Sequence, residues 1–160
     1  MAERSEIMHV PFFVTSLDGA PPRGGWAKFV PELLVSELAS SLAFWRDLLG
    51  FAIAYQRPEN HFVYLEHADG MQVMLCQRDG AWETGPLRRP FGRGVMFKLY
   101  VDRIDPVLSV LARANWPLHA APREKWRRCG DRMGGQREFF VQDPDGYLLM
   151  IAELIGEKPL

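Results

Sequence analysis

Hydrophobic positions change period several times along this chain, and each change marks an element. Residues 29–35 (FVPELLV) form an apolar run that reads as a strand. Next, Leu38, Leu42, Trp45, Leu48 and Leu49 recur at three- and four-residue steps, the period of a helix with one buried face. Ser36 or Glu37 can cap that helix, and Gly50 is its natural stop. Three short strand-like runs follow, at 51–57, 61–67 and 71–77, broken by Pro58-Glu59-Asn60 and Ala68-Asp69-Gly70. The order is βαβββ. After a Gly-, Pro- and Arg-rich loop (78–93) that order returns. Residues 94–101 read as a strand, and Asp105-Pro106 signals a helix whose apolar face is Val107, Leu108, Leu111 and Ala114, with Asn115 ending it. A short extended piece at 117–120, a polar loop at 121–135 and a final hairpin complete the second set.

The hairpin, residues 137–153 (REFFVQDPDGYLLMIAE), is the most specific stretch. Asp143-Pro144-Asp145-Gly146 fits a type I turn, with Asp at the first corner, Pro fixing φ at the second and Gly closing it. On its second strand Leu148, Met150 and Ala152 point one way, and Tyr147, Leu149, Ile151 and Glu153 the other. Both faces are apolar, so both need cover. HADGMQVML (67–75) repeats as DPDGYLLMI (143–151), which makes the two βαβββ sets an internal repeat. The expected fold is α+β: two βαβββ modules, about 27–78 and 94–155, related by a pseudo-two-fold, their curved mixed sheets around a groove. Residues 26–160 form one domain. Residues 1–25 read as an appendage, with a short strand at 8–15 and a Pro/Gly linker at 17–25. It is either an arm for a partner subunit or a frayed extension.

Composition narrows the function classes. The chain has 160 residues, 48% of them apolar, and a net charge of −1, so nothing pulls it globally toward nucleic acid or anionic membrane. Arg88, Arg89 and Arg93, and then Arg123, Lys125, Arg127, Arg128 and Arg132, cluster around Trp82 and Trp126. We read them as loop charge that can rim a groove and stack on a planar ligand. Cys76 and Cys129 make no disulfide framework, which fits a reduced cytoplasm. No apolar run is long enough to span a bilayer, and no signal peptide is recognisable. Cys76 reads as a small buried hydrophobe, and Cys129, near arginines, as a reactive surface thiol.

Residues 30–51 (VPELLVSELASSLAFWRDLLGF), together with 137–153, resemble the vicinal-oxygen-chelate superfamily of glyoxalases, bleomycin-resistance proteins and extradiol dioxygenases. Val-Pro in the first strand, Phe-Trp in the first helix and Arg-Glu-Phe before Asp-Pro are most similar to the bleomycin-resistance branch. The resemblance implies, for the enzymes, a divalent metal held by His and Glu from the first and last strands of each module. Here those positions are Val30, Met74, Met96 and Met150, poor donors for an ion that wants carboxylate oxygen or imidazole nitrogen. Sliding each strand by two residues brings in Glu32, Cys76, Lys98 and Ala152 instead, again without histidine. In that register Glu32 and Lys98 are related by the repeat, and either they pair across it or one or both reach out to water. His9 and His119 lie apart, and His61 and His67 stand at opposite ends of one strand, roughly 20 Å from each other.

The resemblance therefore implies a metal-free, cofactor-free homodimer that sequesters an aromatic or cationic drug or metabolite. Its cavity wall would be Phe62, Tyr64, Met74, Met96, Phe139 and Met150. Glu32, Lys98 and Arg137 would supply polar handles and Trp126 a flat surface. The chain departs from that branch in being nearly neutral rather than acidic, and in having Gly135 where a stacking Trp is expected. Two alternatives stay open: a glyoxalase-like lyase, isomerase or dioxygenase acting on a small oxygenated substrate, and a metal-free catalyst with Glu32 as base and Lys98 beside an enolate.

Overall fold

The computed structural model describes residues 19–160, and there the alternation closes into two four-stranded mixed sheets. The first module contains β1 (Glu32–Val35), α1 (Leu38–Leu42), β2 (Ala52–Arg57), β3 (Phe62–Glu66) and β4 (Gln72–Gln77). The second contains β5 (Met96–Tyr100), α2 (Ile104–Arg113), β6 (Leu118–Cys129), β7 (Arg132–Gln142) and β8 (Leu148–Pro159). Strand orders are β1-β4-β3-β2 and β5-β8-β7-β6, with β1 parallel to β4 and β5 parallel to β8. The expected repeat and α+β class are both present.

Local chemistry explains most boundaries. Glu37 caps α1 by accepting from the Ser40 backbone N–H at 3.1 Å and from the Ser40 hydroxyl. The helix then widens into π-helical turns (Ala43–Leu48) and stops at Gly50, whose φ of 81° a side chain would resist. The second helix differs from expectation. Asp105 is in its first turn but does not cap it; the Ile104 N–H donates to Glu153 Oε2 of β8 at 2.6 Å. A tertiary carboxylate supplies the cap, and Asp105 is left to bind Arg103 and Arg137.

The polar loop expected at 121–135 is also corrected. It is a hairpin in which β6 pairs with β7 from Leu118↔Val141 to Cys129↔Arg132, turning at Gly130 with φ 65°. Its outer half is wet on both faces, so no apolar alternation betrays it. Likewise β1 begins at Glu32, so residues 29–31 lie outside the strand.

The side chains under the helices form one core shared by the modules. It joins Leu33, Val35, Val73 and Leu75 of the first sheet to Leu99, Phe139, Leu149 and Ile151 of the second, with Phe44, Trp45, Ile104 and Leu111 from the helices. The Asp143–Gly146 turn locks that union. Asp145 Oδ2 accepts from the Ser36 N–H at 2.7 Å, Arg89 reaches its Oδ1 at 2.9 Å, and Tyr147 Oη donates to the Leu34 carbonyl at 2.9 Å. Gly146 has φ 94°, and a Cβ there would come within 2.5 Å of Pro90 Cβ, so the turn admits only glycine.

Asp143 is buried in this turn, and burial pushes its carboxyl up to about 6 from an ordinary 3.8, against hydrogen bonds from the Tyr147 N–H, Trp45 Nε1 and the Asp145 N–H. Between those two values the folded chain holds more protons than the unfolded one, so this group makes stability fall as pH rises from about 4 to 6. The stability advantage of the native protein over Asp143→Asn should shrink over that interval, by at most about 3 kcal/mol. Urea titrations at pH 4.5 and 7 that give a constant difference would refute it.

Residues 19–27 run along the first sheet and are tied to it by a bridge and side-chain hydrogen bonds. Gly19 bridges to Tyr55 on the β2 edge, the Arg23 N–H donates to Glu66 Oε2, and Gln72 exchanges hydrogen bonds with Gly25 and Ala27. The strand expected at 8–15 lies outside the described residues.

Candidate functional site

Each sheet has a second face, turned away from the helices, and strand parity decides what it carries. On the first sheet the register sets Tyr55 opposite Tyr64, Tyr64 opposite Met74 and Met74 beside Glu32. Ala54, Tyr55, Phe62 and Tyr64 form a small buried cluster, with Val30, Met74 and Cys76 packed against it and separate from the main core. Tyr55 and Tyr64 stack with centroids 5.2 Å apart, and Trp26 meets both edge-on at 5.8 and 5.2 Å. Burial pushes the Tyr64 phenol up to about 12, so it stays neutral and donates to Gln72 Oε1 at 2.5 Å. Arg57 lies 3.9 Å over the Phe62 ring. A cavity of about 340 Å³ opens at that end, lined by Glu32, Arg57, His61, Phe62, Cys76 and Trp82. Burial raises the Cys76 thiol, which favours the protonated form over a nucleophilic thiolate.

On the second sheet the same face carries Met96, Lys98 and Tyr100 of β5, Met150 and Ala152 of β8, and Glu138 and Phe140 of β7. Met150 is 6% exposed and Met96 42%. Lys98 Nζ bonds Gln136 Oε1 at 2.6 Å and lies 4.8 Å over the Tyr100 ring, while Gln136 Nε2 reaches Tyr100 Oη at 3.2 Å. Glu138, 0% exposed, takes two bonds from Arg127, at 2.8 and 2.7 Å, and one from Arg123 Nε at 3.2 Å. Arg127 holds its carboxyl below the usual range. A cleft of about 300 Å³ runs between the modules, bounded by Phe29 and Pro31 on one side and Met96, Phe97 and Lys98 on the other.

Of the residues expected at the groove, Glu32, Phe62, Tyr64 and Met74 share the first open face and Met96, Lys98 and Met150 the second. Three do not join them. Phe139 points under the helices into the shared core. Arg137, of the same parity, binds Asp105 at 3.0 and 3.2 Å and Glu153 at 3.0 Å on the helix side. Trp126 sits opposite Gly135, where a Cβ would come within 2.7 Å of the indole, and Lys158 covers its ring at 4.2 Å. The glycine at 135 thus makes room for Trp126. The Glu32–Lys98 ion pair does not form among the described residues; Lys98 is engaged by Gln136 and Tyr100 in its own sheet.

Sequence reading missed Tyr55, Trp26 and Glu138 as open-face residues, and it placed Arg123 and Arg127 at a groove's rim in a loop rather than on a strand. For Tyr55 the signal was available in the alternation of residues 51–57. For the arginines it was hidden by reading 121–135 as a loop.

The metal implied for the enzymes of the fold does not fit this chain. The four positions that the resemblance implies, Val30, Met74, Met96 and Met150, offer three thioethers and an alkyl group, and the flanking set of Glu32, Cys76, Lys98 and Ala152 brings no imidazole. Among the described residues, no three His, Cys, Asp or Glu side chains gather as a metal site. No helix there is long and apolar enough to cross a membrane.

Comparisons with known proteins place this architecture. Among solved structures, a virulence protein from Salmonella typhimurium is similar, with TM-score 0.60 and 21% identity over 79% of this chain and 94% of that one. A lactoylglutathione lyase from Agrobacterium tumefaciens is similar at TM-score 0.53 and 19% identity, over 83% and 95%. A glyoxalase/bleomycin resistance protein/dioxygenase superfamily member from Vibrio splendidus 12B01 is 34% identical over 78% of this chain and 95% of that one, at TM-score 0.36. Curated proteins give no match. The family model for the Glyoxalase/Bleomycin resistance protein/Dioxygenase superfamily matches residues 28–151, and the chain belongs to that superfamily.

Proposed function

We propose that this protein binds and sequesters a small molecule without a metal and without changing it. One observation supports the reading most: Met74 and Val30 pack against the aromatic cluster of Tyr55, Phe62 and Tyr64 on the first sheet, Met96 and Met150 lie on the matching face of the second, and none of these side chains suits a divalent ion. Thioethers and rings make an adaptable apolar wall that suits burial of a planar or greasy ligand. Each module presents one such wall, and the shared core lies behind both. A homodimer in which the first face of one copy meets the second face of its partner would turn two open walls into two enclosed grooves.

The test is elemental analysis of purified protein, with sedimentation for its assembly state and calorimetric titration of metal-free bleomycin as a first probe. We expect sub-stoichiometric zinc, nickel, iron and manganese, a dimer, and saturable heat that Tyr64→Ala abolishes. One retained divalent ion per chain would overturn the reading in favour of an enzyme.

A further inference from the structure

We infer that the open face of the second sheet is an anion site, and that the ligand is an aromatic or apolar body bearing a carboxylate, sulfonate or phosphate. The inference rests on the binding-protein reading above and names its ligand class, which is the opposite of the cation implied by the family resemblance. Five cations share this face: Lys98 on β5; Arg123, Lys125 and Arg127, which alternate on β6 opposite Glu138, Gln136 and Gly134; and Arg132 on β7, which Glu157 pairs at 2.9 Å. The carboxylate at their centre is Glu138. It is fully buried and makes three charge-assisted hydrogen bonds, so it acts as the fixed base on which two guanidinium groups are set.

One carboxylate cannot neutralise what surrounds it. Arg127 spends its fork on Glu138, in the bidentate geometry that satisfies a carboxylate by itself. Arg123 adds only Nε, and its two terminal nitrogens have no hydrogen-bond partner among the described residues. Its guanidinium is half-exposed, held from below by Glu138 and placed 5.2 Å from the Phe140 ring centroid. The side chain is therefore pre-positioned, with its outer donors facing outward. Lys98 is similarly held by Gln136 and Tyr100, with donor capacity to spare. Apolar surface adjoins these donors on the same face: the partly exposed Phe140 and the half-exposed Met96, with Met150 buried beneath them. Charge beside oil on one wall describes the complementary ligand.

The experiment is calorimetry of the full-length protein with three isosteric probes: naphthalene-2-carboxylate, its neutral carboxamide and (2-naphthylmethyl)trimethylammonium. The carboxylate should bind tightest, roughly tenfold or more over the amide, and its affinity should fall as salt is raised. Arg123→Met should remove that preference by weakening the carboxylate far more than the amide, while Arg123→Lys should restore part of it. Arg123 is the position to vary because Glu138 keeps its Arg127 fork in that variant, and a thermal melt checks that the fold survives. Equal binding of all three probes, or an undiminished carboxylate preference in Arg123→Met, overturns the anion inference while leaving sequestration standing. Absence of heat with all three probes and with bleomycin overturns both.

Discussion

Truncating Phe139 to alanine is expected to cost about 3–5 kcal/mol of stability and to leave ligand affinity unchanged in whatever protein remains folded. The side chain is 0% exposed and sits where the cores of the two modules join, among Val141, Leu149, Ile151 and the helix residues. Removing it deletes a ring from close-packed surroundings that relax only in part, so a cavity cost adds to the lost burial. Its neighbour Phe140 points the other way, opposite Met150 on the open face. Phe140→Ala should cost much less stability and should weaken binding. Urea unfolding and calorimetry on the two variants decide the matter, and a Phe139→Ala protein of near-native stability with impaired binding would invert our assignment of the faces.

The second large effect lies at Arg137. Replacing it by methionine should lower the urea midpoint clearly, because Glu153 is then left as a nearly buried carboxylate without its cation. Some of the full penalty is lost to solvent, since the guanidinium is about one-third exposed. Glu153 cannot simply turn away, as its other oxygen caps α2 through the Ile104 N–H. A second change, Glu153→Gln, should recover most of the loss by keeping an acceptor for that cap and removing the stranded charge. Arg137, followed by Arg103, also holds Asp105 down at about 2. A depressed carboxyl adds stability above its unfolded value, and that stability disappears as pH falls from about 4 through 2. The native protein should therefore lose more stability than Arg137→Met over that acid range. If the single variant is as stable as the double, or the acid slopes coincide, the ion-pair account fails.

These two positions show where sequence reasoning ran out. The family resemblance assigns both to the groove, Phe139 to its wall with Tyr64 and Met74, and Arg137 to its polar handles with Glu32 and Lys98. Their own alternation with Glu138 and Phe140 already placed them on the opposite face. That alternation was hard to use, because one side hides a fully buried glutamate and the other a partly exposed arginine, reversing the usual reading of polar and apolar. Glu138 became intelligible only once β6 brought Arg123 and Arg127 across from a stretch that reads as loop. A strand wet on both faces has no hydrophobic period to detect. Trp126 follows the same logic: its ring fills the space that Gly135 leaves empty, a cross-strand fact invisible from either residue alone.

The sequence by itself determined the two βαβββ modules, the turn at residues 143–146 and the thioether chemistry of Met74, Met96 and Met150. Each of these is local: a period, a corner that only glycine can close, a side-chain chemistry. Which faces share a core, how Glu153 comes to cap a helix and where two guanidinium groups converge on one carboxylate were decided by the tertiary structure. Those arrangements depend on strand register and on charge brought together from distant segments, and a linear pattern encodes neither.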